Sequence, residues 1–144
     1  MPTIGRLTVC AFMLLGSTVL VGADVQSAVA SCAIPQPLPQ FLATAPVVFI
    51  GTVITTRNNA RTATVHVAEI WRGKHIARTV VVRGSYVTGH QATSVDRFFQ
   101  VGVRYLFVPE PMTQVSPFQD NNCTATQPYR AALRKYRPRH AHRP

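Results

Sequence analysis

The chain has 144 residues, 47% of them hydrophobic and 14% charged, with a formal charge of +10 at neutral pH. That length has room for one domain. Six of the fifteen Lys and Arg lie between Arg130 and Pro144, so the charge belongs mainly to a tail and not to a uniformly basic domain.

At the N-terminus Arg6 precedes an apolar stretch from Leu7 to Gly22, and Ala28 and Ala30 then place small residues before Ser31. This order of basic residue, apolar run and small-residue site predicts a signal peptide over residues 1–30. A cut after Ser31 is the neighbouring alternative, with Val29 and Ser31 as its small residues. An uncleaved anchor is a second alternative, although the run falls short of the roughly 18 residues that a span needs. A lipoprotein cut at Cys32 is a third, weakened by Asp24 and Gln26, which separate the apolar run from the cysteine. Removal of the segment takes Cys10 with it and leaves Cys32 and Cys123. In an oxidising compartment that pair suggests a disulfide, worth about 2–4 kcal/mol, with two unrelated thiols as the plainer reading. Zinc needs about four ligands, so no metal site is expected from two distant cysteines.

Prolines at 35, 37 and 39 predict an extended start, followed by a short helical turn over Gln40 to Ala45. Pro46 to Thr56 (PVVFIGTVITT) is the strongest strand, and its Gly51 predicts a bulge or a sharp bend. Arg57-Asn58-Asn59 predicts a turn, and Ala60 to Arg72 a second strand with Ala63, Val65 and Val67 on one face and Thr64, His66 and Ala68 on the other. Ala77 to Arg83 predicts a third strand, Gly84 to Gln100 a long loop, and Val103 to Val108 a fourth strand ended by Pro109 and Pro111. A short fifth strand is expected near Thr113 to Ser116, and a helix over Gln127 to Tyr136. Beyond Arg137 we expect disorder, because nothing there looks able to be buried. Four or five short strands predict a mostly β fold, a small sandwich or barrel.

Five segments carry a resemblance when read in order: the Cys32 start, PVVFIGTV (46–53), VHVAEIWRGK (65–74), VGVRYLFV (101–108) and NCTATQPY (122–129). Together they resemble the bacterial relatives of the tissue inhibitors of metalloproteinases, over roughly residues 32 to 130. The resemblance implies a five-stranded OB-type barrel with short helices at its ends, over residues 31–129, and a Cys32–Cys123 pair tying the N-terminal segment to it. The relatives usually carry a Cys-x-Cys start and a further loop cysteine. Here there is one starting cysteine, and the loop offers Ser94, Val95 and Asp96 instead. In the animal inhibitors a free N-terminal cysteine amine and carbonyl chelate the target's zinc. The resemblance therefore names Cys32, Ala33 and Ile34 as protease contacts if the mature chain starts at Cys32. A start at Ser31 would block that chemistry.

For catalysis the mature chain offers Glu69, Asp96, Glu110 and Asp120, with His66, His75, His90, His140 and His142. These residues form no nucleophile elbow, phosphate loop or metal-ligand spacing, so we expect neither an enzyme nor a cofactor. The tail residues Arg130, Arg134, Lys135, Arg137, Arg139 and Arg143 are candidates for contact with anionic lipid or a wall polymer. Nucleic acid is not the expected partner, because Thr64, His66 and Ala68 make a poor stacking face. The expectation is an exported, non-enzymatic binding domain with a basic tail over residues 130–144. A metalloprotease inhibitor and a membrane-tethered envelope protein are its rivals.

Overall fold

The computed structural model describes residue 32 and residues 36–86 and 92–144. The segment read as a signal peptide lies outside the described residues, as do Ala33, Ile34 and His90. Among the described residues no helix is long and apolar enough to cross a membrane.

The protein is mostly β. A helix α1 (Leu38–Thr44) leads into β1 (Val48–Arg57), β2 (Thr62–Arg72) and β3 (Thr79–Arg83), then β4 (Arg104–Phe107), β5 (Phe118–Gln119) and β6 (Gln127–Pro128). A 3₁₀ helix, η1 (Ala131–Tyr136), follows. Helix α1 begins before the predicted turn, with Pro39 inside its first turn, where a missing backbone N–H costs nothing. Strands β1 to β4 fall where the sequence places them, with ends trimmed by up to two residues, except that β1 continues through Arg57, which was expected in the turn.

One curled sheet of six strands runs in the order β5-β3-β2-β1-β4-β6. Strands β1, β2 and β3 form an antiparallel meander, and β4 returns to lie antiparallel beside β1. That arrangement is a Greek key. Strand β5 adds parallel to β3, and β6 adds antiparallel to β4. The count is six where five were expected, and β5 and β6 end the sheet without pairing to each other. The weak fifth strand shifts from 113–116 to Phe118–Gln119, because Phe118 is the apolar side chain that can enter the core there. Gln127–Pro128 is strand and not helix, consistent with a proline at its second residue.

Gly51 sits at a register shift, between Ile50 and Gly51, in the β1–β2 ladder. A Cβ there would lie 2.4 Å from Val65 Cγ1 and 2.9 Å from the His66 carbonyl oxygen. Only glycine lets β2 approach so closely, and the strand bends at that point. Asn58, Asn59 and Ala60 turn the hairpin with φ between 51° and 63°. Asparagine is one of the few residues that adopts this region readily.

Alternation along the strands gives the sheet two apolar faces. The concave face buries Phe49, Val65, Val82, Phe107 and Phe118 in the larger core, with the Phe49 and Phe107 rings stacked at 4.9 Å. The other face buries Val48, Ile50, Trp71 and Leu106 beneath α1 and η1. This second core corrects the expectation of a disordered tail. Leu133 of η1 is buried, and Tyr136 and Ala141 pack against the same cluster. Ile70 and His142 exchange two backbone hydrogen bonds of 2.7 and 3.0 Å, so the tail lies alongside β2. The physical reason is plain: Trp71 and its neighbours form an apolar patch that needs a cover, and the tail supplies one.

Candidate functional site

Cys123 lies in the loop between β5 and β6, and buried polar groups hold that loop. Asp120, fully buried, accepts hydrogen bonds at Oδ1 from Asn121 N at 2.8 Å and from the Thr124 hydroxyl. Cys123 N donates to Asn121 Oδ1 at 2.7 Å, and Arg97 Nη2 donates to Asn121 O at 2.6 Å. Arg97 Nε also faces Asp120 Oδ2 at 3.4 Å. Burial pushes the Asp120 carboxyl above its ordinary value, and the Arg97 guanidinium and local hydrogen bonds only partly offset that.

Onto this loop the Cys32–Cys123 disulfide fastens the N-terminal segment. It spans 91 positions with a Cα–Cα distance of 5.2 Å, inside the usual disulfide range. The two cysteines predicted to pair are therefore paired. An oxidising, extracytoplasmic compartment sustains such a bond.

Beside the staple opens a cleft of about 480 Å³, with Phe41 and Ala45 from the α1 side, Val108, Pro109, Pro111 and Met112 from the β4–β5 loop, and Cys123 at its edge. The β4–β5 loop is pinned from two sides through Glu110. Tyr86 Oη and Asn121 Nδ2 both donate to its carboxylate, and Glu110 N donates to Gln119 O at 2.9 Å. On this rigid loop Met112 stands 92% exposed. An apolar side chain held out on a braced loop beside an apolar cleft is suited to meeting another molecule.

The six tail residues are ordered but do not form one patch. Arg130 and Arg134 are exposed at the two ends of η1, Arg139 is exposed, and Lys135 Nζ lies 4.9 Å above the Tyr136 ring. Arg137 forms an ion pair with Glu69. Arg143 lines two depressions on the outer face of β2, one with Arg78 and one with Arg104 and Arg137.

The four carboxylates in the described residues are all engaged internally. Asp96 meets Arg61 at 3.1 Å, Glu69 holds Arg137 and accepts from Trp71 Nε1, Glu110 takes Tyr86 and Asn121, and Asp120 faces Arg97. His140 Nε2 donates to Trp71 O at 3.1 Å, which gives the His140-Ala141-His142 run a structural role. Sequence reasoning missed Phe41 and Met112, weighed Tyr86 only as a stacking ring and not as a brace for Glu110, and took the paired prolines around Glu110 only as the end of a strand. It also missed Arg78 and Arg104, although Arg104 is the one charged residue in the otherwise apolar VRYLFV segment.

No family model matches the chain, and no curated protein matches it.

Proposed function

We propose that the chain is an exported, non-catalytic binding domain of the OB type, akin to the tissue inhibitors of metalloproteinases, whose stapled end docks onto a protein partner. The observation that carries this reading is the disulfide beside a braced apolar cleft, with Met112 projecting at its rim. The Greek-key meander with β4 beside β1 and β5 parallel to β3 supports the OB-type assignment. Internal engagement of every described carboxylate supports a binding role over a catalytic one. The partner is a protein that offers an apolar side chain to the space between Phe41 and Pro109.

The metalloprotease-inhibitor reading uses the same end of the molecule, because the staple fixes Cys32 to the Cys123 loop. It requires the mature chain to begin at Cys32 with a free amine. Both readings are tested by placing a photo-crosslinking amino acid at position 112 in the exported protein. A single discrete adduct that disappears with Phe41→Glu supports docking at the cleft. Adducts unaffected by Phe41→Glu contradict it. Inhibition of a metalloprotease panel by a chain starting at Cys32, and not by one starting at Ser31, selects the inhibitor reading.

A further inference from the structure

The docked tail builds a second surface that neither it nor the sheet has alone. Across the outer face runs a paired row of Arg104, Thr52, His66 and Thr79, from β4 through β1 and β2 to β3. Helix α1 and η1 cover the apolar half of that face, around Ile50, Trp71 and Leu106, and leave this polar row open. Strand β3 pairs with β2 only as far as His66, and Val67 N still donates to Arg78 O at 2.8 Å. Further along β2 the tail occupies the next place, through His142 and Ile70. Arg143 is thereby carried back toward Arg78.

Two depressions result, of about 380 and 460 Å³, and both are lined by Ala68 and Arg143. Sharing these two residues, they adjoin over β2 and are treated together as a trough. Its basic groups are Arg78, Arg104, Arg137 and Arg143, with His66 and His142, and its one acidic side chain is Glu69, which is taken by Arg137. Among the described residues Arg78, Arg104 and Arg143 have no carboxylate within ion-pair reach. All three are exposed.

We propose that this trough binds a linear acidic polysaccharide. Guanidinium groups offer paired donors that match carboxylate and sulfate oxygens. Spread along a trough, they suit a chain of repeating charges better than a single ion. Single-stranded nucleic acid would need rings to stack on. The Tyr129 ring beside the row is covered by Arg104, whose Cζ lies 4.9 Å from the ring centroid. A bilayer surface would need bulky apolar side chains to insert. The trough offers Ala68, Val67, Ala141 and Pro144 at its walls, with Val67 buried. It shares no residue with the cleft beside the disulfide.

The test measures binding of the mature chain to heparin, as a linear polyanionic polysaccharide, across a salt series. The triple variant Arg78→Ser/Arg104→Ser/Arg143→Ser should bind about tenfold or more weakly, with the log–log salt slope reduced by about three. The equally discharged control Arg57→Ser/Arg134→Ser/Arg139→Ser should stay within about twofold of the parent. Arg78→Glu alone, at a side chain with no hydrogen bond or ion pair to the tail or to Tyr129, should reproduce most of the loss. Equal weakening in the control, or no weakening with Arg78→Glu, would overturn the proposal. So would tighter binding to phosphatidylglycerol vesicles or to a thymidine 20-mer than to heparin at the same salt.

Discussion

The most demanding single contact in the molecule is the ion pair between Arg61 and Asp96, 1% and 2% exposed and 3.1 Å apart. Burial by itself would raise the Asp96 carboxyl, but hydrogen bonds from Thr93, Ser85 and Arg61 more than offset it and hold the group down at about 2. A carboxyl depressed in the folded state stabilises the fold above its unfolded value, and that contribution is lost as pH falls from about 4 to about 2. Asp96→Ala, which removes the partner of a buried guanidinium, should cost about 3–5 kcal/mol at pH 7 in urea unfolding. It should also flatten the acid limb between those pH values. A variant as stable as the parent would show that other groups neutralise Arg61. Gly51→Ala, by contrast, should cost about 1–3 kcal/mol through crowding against Val65 and the His66 carbonyl. The glycine was legible in the sequence because nothing but close approach explains it in so strong a strand. The Arg61–Asp96 pair was not, because its partners lie 35 positions apart in a turn and a loop.

Among the elements, the strands with their own β-branched or apolar run were readable and the ones made by long-range packing were not. VFIGTVITTR is rich in β-branched residues, TATVHVAEIWR alternates over its first half, and RYLF is a short apolar run closed by Pro109. Strands β5 and β6 are two residues each and exist only because β3 and β4 offer an edge. The tail was misread for the same reason, since the cover that Leu133 and Tyr136 provide has meaning only once Trp71 is placed. Ending the chain at Arg130 should therefore destabilise it by about 2 kcal/mol or more, from the burial of Leu133 alone, and red-shift the Trp71 fluorescence. A merely solvated tail would be lost with no change in the melting curve. Cutting the staple with Cys123→Ser should remove about 2–4 kcal/mol and lower the melting temperature by roughly 10 °C. An unchanged melting temperature would leave the disulfide with a positioning role only.

At the scale of the whole molecule, the described residues form a single curled sheet with an apolar core on each face, one of them covered by α1 and η1. That design places two surfaces apart from each other: the cleft at the disulfide and the basic trough over β2. Of these the sequence disclosed the disulfide, through its two surviving cysteines, and the basic character of the tail. It did not disclose the cleft, which depends on a loop braced through Glu110, or the trough, which needs Arg78 and Arg104 beside Arg143. The account rests on an exported chain closed by Cys32 and Cys123, and intact mass of the exported protein, before and after reduction and alkylation, tests it most directly. It predicts a chain that begins at Ser31 and gains two hydrogens on reduction, with alkylation at both cysteines only after reduction. A chain retaining residues 1–30, or one whose cysteines alkylate without reduction, would contradict it.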